Sequence, residues 1–254
     1  MVTKPMTRPS APMEDSEERA VSTFDRDRMK AAAAEAAVAW VQDDMVVGLG
    51  SGSTASLAIG LLGERVAQGL RMVGIPTSVN TERQARGAGL TLSTLAEHDR
   101  LDLTIDGADE VELGTLNLLK GGGGALLHEK VVASASHSLI IVVDETKLVR
   151  RLGVRRRLPV EVVPFGWHQT AKQLKELGVA HIRLREGKGR PFLTEGGHFI
   201  LDCEFGAIEC PTELAVQLDR TIGVVEHGLF VGLTSRVVVG ESSGTSVLRR
   251  RRNA

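Results

Sequence analysis

The chain has 254 residues, 42% of them hydrophobic and 25% charged, with a formal net charge of -1. That is a globular composition with enough material for one or two domains. The near-neutral charge speaks against a general nucleic-acid binder, and no apolar run reaches the ~18 residues of a membrane span, so neither nucleic acid nor membrane is an expected partner.

Residues 1–24 carry Pro5, Pro9, Pro12 and the acidic group Glu14, Asp15, Glu17 and Glu18. No apolar stretch follows a charged start, so this segment is expected to be a disordered tail rather than a secretory signal. A helix is expected from Asp25 through the alanine-rich KAAAAEAAVAWV to Val41, because alanine is the best helix former and nothing interrupts the run. MVVGLG then reads as a short buried strand and TASLAIGLLGERVA as a helix. RMVGI is a strand stopped by Pro76, and TERQARGAG a helix stopped by Gly89. LDLTIDGADE is a strand running into a loop, LNLLK a short extended segment, ALLHEKVVASAS a helix and SLIIVVDE a fully apolar strand. Strands alternating with helices, with apolar runs buried on both faces, indicate an open, mainly parallel α/β sheet.

Beyond Arg150 the texture changes. RRLGVRRRLPVEVVPFGW leads into a strand closed by Pro164, and HQTAKQLKELG is an amphipathic helix with Gly178 as its stop. AHIRLRE, PFLTEGG and HFILDCEF read as strands joined by glycine turns, and PTELAVQLDRTIG as the next helix. The segment forms a small α+β domain. HGLFVGLTSRVVVGE is strand-like and is expected to rejoin the first sheet. The expected division is therefore a catalytic α/β domain from 25–154 plus 228–248, a small α+β domain from 155–227, and a basic tail from 249–254 with four arginines. Two cysteines, Cys203 and Cys210, cannot form a disulfide framework. They read as buried thiols in a reducing compartment, and a cytoplasmic location is expected.

In open α/β sheets ligands bind beyond the carboxyl ends of the strands. Here Gly50, Ser51, Gly52, Ser53 and Thr54 follow one strand, and Asp106, Gly107, Ala108, Asp109 and Glu110 another. Lys120 with Gly121 to Gly124 follows a third, and Asp144, Glu145 and Lys147 a fourth. One parallel sheet would bring all four sets to a single rim. GLGSGST can cradle a phosphate with backbone N–H groups at a helix start. It lacks the lysine of a Walker A loop and the third glycine of the dinucleotide fingerprint, so a small phosphorylated molecule fits better than ATP or NAD. In KGGGGALLHEK, Glu129 falls within the first two turns of the helix and Lys120 lies across the loop. A carboxylate facing a cation and unobstructed N–H groups has the parts needed to abstract a proton beside a carbonyl.

Taken together, GLGSGSTA, DGADE, KGGGGALLHEK and VVDETK, in this order and spacing, resemble the A-type ribose-5-phosphate isomerases. LPVEVVP and GLF further along resemble the family too, and the similarity runs from about Lys30 to Gly240. The resemblance implies a Rossmann-like large domain with a smaller ferredoxin-like one, assembled as homodimers or homotetramers. It implies a metal-independent aldose–ketose isomerase, without cofactor, that interconverts ribose 5-phosphate and ribulose 5-phosphate through a cis-enediol(ate). By motif position Glu129 matches the general base. Asp106, Asp109 and Lys120 match residues around the reacting end of the sugar, alongside Gly107, Ala108 and Gly121, Gly122 and Gly123. Ser51, Gly52, Ser53 and Thr54, with Lys147 and Lys30, match the phosphate-holding side. Position 51 is threonine in many members, and serine keeps the hydroxyl. Two other readings use a related scaffold. A sugar-phosphate sensor would need an output module that the chain does not show. A CoA-transferase-like enzyme would use a glutamate as nucleophile, but the glycine-rich motif resembles the isomerase pattern better.

Overall fold

The computed structural model describes residues 22–250; most of the expected N-terminal tail and residues 251–254 of the basic end lie outside them. Helix α1 spans Thr23–Val38. It starts two residues ahead of Asp25 because the Ser22 hydroxyl accepts the Asp25 N–H at 3.1 Å. It ends short of Val41 because the chain tightens: the Trp40 and Val41 N–H groups bond three residues back, to the Ala37 and Val38 carbonyls. Strand β1 (Met45–Leu49), helix α2 (Ser53–Ala67), β2 (Met72–Pro76), α3 (Val79–Gly87) and β3 (Leu103–Asp106) follow as alternating units. Then come β4 (Glu110–Glu112), β5 (Leu118–Leu119), α4 (Leu126–Ser134), β6 (Leu139–Asp144), a 3-10 turn (Glu145–Lys147) and β7 (Leu148–Val149). The next stretch holds β8 (Leu158–Val162), α5 (Trp167–Glu176), β9 (His181–Leu184), β10 (Glu186–Gly187), β11 (Arg190–Pro191), β12 (Phe199–Glu204), α6 (Pro211–Asp219) and β13 (Val224–His227). The last strands are β14 (Leu229–Phe230), β15 (Arg236–Glu241) and β16 (Gly244–Arg249).

The main sheet has the order β16-β15-β6-β3-β1-β2. Every pairing in it is parallel except that of β15 with β16. Its middle strands β3 and β6 are buried throughout; this is why LIIVVD of β6 is an apolar run up to Asp144, while β3 buries Thr104 and Asp106 as well. The late strand β15 does return to this sheet, pairing parallel with β6 in the register Val237 to Ile141. Strand β16 is an addition to the expected elements: Arg249, expected to open the basic tail, pairs with Arg236. Its residues alternate between exposed and half-buried, so it lacks the apolar pattern that marks a strand in sequence. Ala33, Ala34 and Ala37 of α1 pack with Val47, Ile105, Ile140 and Val142 of the sheet. The helix comes so close that a Cβ on Gly240 of β15 would strike the Met29 carbonyl.

The second sheet, β13-β8-β12-β9, is antiparallel, with α5 between β8 and β9 and α6 between β12 and β13. This is the β-α-β-β-α-β pattern of ferredoxin-like folds. Within it, the strand expected over PFLTEGG shrinks to Arg190–Pro191, paired with Glu186–Gly187, because proline cannot donate to a longer ladder. Of the two thiols expected to be buried, Cys203 is buried in β12, with burial and Asp202 pushing its thiol up to about 12, while Cys210 departs from the expectation and is exposed just before α6.

A further small sheet, β14-β5-β4-β7, corrects the single-rim picture. Lys120 does not follow a strand of the parallel sheet. It follows β5, which pairs antiparallel with β4 and β14. Leu118 and Leu119 are too short and too apolar to announce their partner.

Two glycine substitutions test this packing in opposite directions. Gly60 lies on the exposed side of α2, and a Cβ there would have nothing within 4 Å, so Gly60→Ala should raise stability by about 0.5–1 kcal/mol. Gly240→Ala should lower it by about 1–3 kcal/mol, because α1 must move off β15. Urea unfolding of both variants beside the parent chain reads the difference.

Candidate active site

The rim is built by strand ends. At the end of β1, the Gly50 N–H donates to the Ile105 carbonyl at 2.9 Å, continuing the ladder with β3. The Ser51 N–H then turns to Asp106 Oδ1 at 3.1 Å. The Ser51 hydroxyl lies 2.9 Å from Thr77 Oγ1 and 3.3 Å from Thr81 Oγ1, tying the loop to the end of β2 and to α3. Gly52 caps α2 with φ 93, a conformation that disfavours any side chain although the space around it is open. The N–H groups of the first turn of α2 are left facing outward, with the positive end of the helix dipole behind them.

Three ionisable groups meet where β3, β5 and α4 converge. Lys120 Nζ lies 3.0 Å from Asp106 Oδ2 and 3.3 Å from Glu129 Oε2, and it donates to the Gly107 carbonyl at 2.5 Å. The exposures of Lys120, Asp106 and Glu129 are 3%, 1% and 5%. One ammonium thus faces two carboxylates away from water. Burial pushes Lys120 toward the neutral amine, but Asp106 and Glu129 outweigh it and hold the ammonium above its ordinary pKa. Burial also raises the Asp106 carboxyl, against the pull of Lys120 and of the Gly107 and Ser51 N–H groups.

Glu129 has fewer compensations. Burial pushes its carboxyl up to about 7, with Lys120 pulling down and Asp106 pushing further up. Its Oε2 has the Lys120 charge at ion-pair distance, yet no donor is aligned to hydrogen-bond it. Asp106, by contrast, has two backbone donors, the Ser51 and Gly107 N–H groups, as well as the ammonium.

The glycine segment is an ordered turn. Gly121 has φ 101 and Gly124 φ 86, and the Gly124 N–H closes back on the Gly121 carbonyl at 3.1 Å. A Cβ at Gly121 would meet Leu126, and one at Gly122 would meet the Asp109 carboxylate. The Gly122 N–H donates to Asp109 Oδ2 at 2.8 Å. Glu129 falls in the first turn of α4, as the spacing indicates.

A cavity of about 170 Å³ opens on this rim. Ser51, Gly52, Ser53 and Thr54 line it, as do Gly107, Ala108 and Asp109. So do Lys120, Gly121, Gly122, Gly123 and Glu129, with Lys30 and Lys147. Asp106 alone among the expected site residues is not in the lining. It sits beneath, holding Lys120 and the Ser51 N–H. Asp144, expected on the rim, lines the cavity too, and the structure adds Arg26 and Thr146. Arg26 stands one helical turn before Lys30 on α1, and that four-residue spacing of two cations was the available signal. Thr146 is placed by Asp144, whose Oδ1 accepts its N–H at 3.1 Å. Among the described residues, Asp219, Glu226 and His227 are the acidic and histidine groups whose ligand atoms lie within 4.8 Å of one another. None of them lines this cavity, and the Lys130 ammonium is already bonded to Glu226.

Residues 73–244 match the family described as ribose 5-phosphate isomerase A (phosphoriboisomerase A). Ribose-5-phosphate isomerase A of Gloeobacter violaceus is 59% identical over 225 residues, covering 89% of this chain and 97% of that protein. The enzyme of the same name from Thermomicrobium roseum is 49% identical over 230 residues, covering 89% and 95%. Among solved structures, ribose 5-phosphate isomerase A of Methanocaldococcus jannaschii superposes with a TM-score of 0.84 at 40% identity, covering 88% of this chain and 99% of that one. A D-ribose-5-phosphate isomerase in complex with phospho-erythronic acid superposes with a TM-score of 0.86 at 37% identity, covering 89% and 99%.

The raised Glu129 carboxyl has a consequence for stability. Between its unfolded value near 4.5 and its folded value of about 7, the folded chain holds a proton that the unfolded chain has released. Its contribution to stability is full below 4.5 and is lost as pH rises through 7. Glu129→Gln removes this titration. The melting temperature of the variant, relative to the parent, should therefore rise from pH 5 to pH 8, read by calorimetry at about six pH values across that window.

Proposed function

The chain belongs to the ribose 5-phosphate isomerase A family, and from that premise we propose that it interconverts D-ribose 5-phosphate and D-ribulose 5-phosphate in the pentose phosphate pathway, with Glu129 as the base that carries the proton between C2 and C1. The observation that carries the assignment is Glu129 itself: a buried carboxyl raised to about 7, in the cavity lining, with an oxygen that no donor occupies. A base whose pKa lies near the working pH combines a useful ionised fraction with real affinity for the proton.

The rest of the lining supports division of labour. The outward N–H groups of α2, the hydroxyls of Ser53 and Thr54, and the cations Arg26, Lys30 and Lys147 suit the phosphate of an open-chain sugar. Anchoring that end lets binding energy orient the reacting carbons over Glu129. As Glu129 takes the C2 proton, the C–H electron pair forms the C1–C2 double bond and negative charge moves to the aldehyde oxygen O1. Lys120 and the glycine N–H groups are placed to stabilise that charge. A proton then passes from the C2 hydroxyl to O1, the C2=O bond forms as the double-bond electron pair takes the proton from Glu129 at C1, and the ketose results with Glu129 ionised again. Asp106 and Asp109 serve as partners for ring opening and for proton movement among the oxygens. Asp106 does so from beneath, through its hold on Lys120. In this reading the cation beside the reacting oxygens is the Lys120 ammonium, so the reaction requires no metal.

Turnover of ribose 5-phosphate to ribulose 5-phosphate with a chelator present is the direct test. A folded sample with no conversion defeats the assignment, and loss only with chelator defeats the metal-free mechanism. Glu129→Gln should lower kcat by roughly 10²–10⁴-fold, with KM changed only a few-fold, since the step lost is proton transfer and not anchoring. A near-normal kcat in that variant rules Glu129 out as the base. For the parent chain, kcat/KM should fall as pH drops through about 7, because protonated Glu129 cannot accept the C2 proton.

A further inference from the structure

We propose that Arg185, which the small antiparallel sheet contributes, is a positioning residue for the reaction: it clasps the carbonyls of Gly121 and Gly122 and so turns the two following N–H groups to the substrate side of the glycine turn. The inference rests on the isomerase reading above and deepens it.

Arg185 stands between β9 and β10, with its own N–H bonded to the Ile200 carbonyl at 2.8 Å. Its Nη1 donates to the Gly121 carbonyl at 2.8 Å and to the Gly122 carbonyl at 3.2 Å. The other edge of the guanidinium is fixed on Asp202 of β12: Nε donates to Oδ2 at 3.0 Å and Nη2 to Oδ1. The whole side chain is largely buried, at 15% exposure. A planar fork can satisfy a carboxylate with one edge and two successive carbonyls with another; a lysine ammonium cannot do so with the same orientation.

The consequence follows from peptide geometry. In a trans peptide the C=O and the next N–H lie in one plane and point in opposite directions, and no described peptide is cis. With the Gly121 carbonyl held by Arg185, the Gly122 N–H must face the other way, where it meets Asp109 Oδ2 at 2.8 Å. With the Gly122 carbonyl held as well, the Gly123 N–H faces away from Arg185 too. Gly123 lines the cavity, and its N–H has no acceptor among the described residues. That vacant donor is placed for the oxygen that gains charge, and the guanidinium behind the carbonyl polarises it further. Arg185 touches no reacting atom. Its effect on turnover passes through the orientation of two peptide planes, which glycine alone would leave free.

A simple tether between two sheets would show different kinetics, so the test separates them. In Arg185→Gln, kcat should fall about 10–100-fold while KM for ribose 5-phosphate stays within about 3-fold, because the phosphate end is untouched. Inhibition constants for phospho-erythronic acid and for inorganic phosphate are measured alongside. The first compound carries an acid group at the reacting end and should weaken by about 10-fold or more, the second by less than about 2-fold. Arg185→Lys, which keeps charge and loses the fork, guards against a folding failure. It should show the same split with at least an about 5-fold drop in kcat. A kcat within about 3-fold of the parent in Arg185→Gln, or equal weakening of the two inhibitors, overturns the proposal. If the parent chain itself does not isomerise ribose 5-phosphate, the functional reading fails on that result, and the ratio of the two inhibitor affinities still decides the role of Arg185.

Discussion

The structure depends on one buried ammonium. Lys120 sits among Asp106, Glu129 and the Gly107 carbonyl with almost no access to water. Its three neighbours come from two places: Asp106 and Gly107 from the end of β3 and Glu129 from the start of α4. Lys120 itself arrives on β5, from another sheet. The Phe230 ring of β14 closes the site, 5.5 Å from the ammonium. Removing one partner from such a group leaves an uncompensated charge at a cost of about 3–5 kcal/mol, so the site and the docking of these elements constrain each other.

That arrangement also creates a usable acid–base group. Two carboxylates share one cation in a dry place, and they are not equivalent. Asp106 receives two backbone N–H bonds beside the ammonium. Glu129 Oε2 has no aligned donor, and burial raises its carboxyl to about 7. The difference comes from where each residue lies in its element. Asp106 sits at a strand end, against the N–H groups of a neighbouring loop. Glu129 lies in the first turn of α4, and its own N–H is already bonded to the Ala125 carbonyl at 2.9 Å.

Four consecutive glycines in isolation read as a hinge. In place, they form a turn clamped on both faces, by Asp109 on one side and Arg185 on the other. Gly121 and Gly124 take left-handed angles, and Gly122 leaves room for the Asp109 carboxylate. Glycine serves here for close approach and for backbone angles, and neighbouring side chains remove the freedom that would come with it.

Much of the architecture was legible along the chain. The alternation of apolar runs with helical stretches identifies the parallel sheet, and the polar residues at its strand ends identify the rim, because both signals are local and periodic. Ser51 to Thr54, Gly107 to Asp109, Lys120 to Gly123, Glu129, Lys30 and Lys147 all reach one cavity. What stayed hidden depends on residues far apart in sequence. Arg26 joins the lining from a helix that carries no motif, and Thr146 from within VVDETK, where it was not singled out. Lys120 reaches the rim through a two-residue strand whose partners are set by tertiary pairing. Arg185 meets Gly121 across a separation of 64 residues, so no spacing could announce it. By itself the sequence determined most of the helices and of the parallel strands, the two carboxylates and the cation that could meet at the rim, and the glycines that permit a tight turn, since those follow from residue type and neighbours. Only the tertiary structure decided that the two acids and the cation are buried together and which way the glycine peptides face, because burial and long-range hydrogen bonds exist only after the sheets have closed around Lys120.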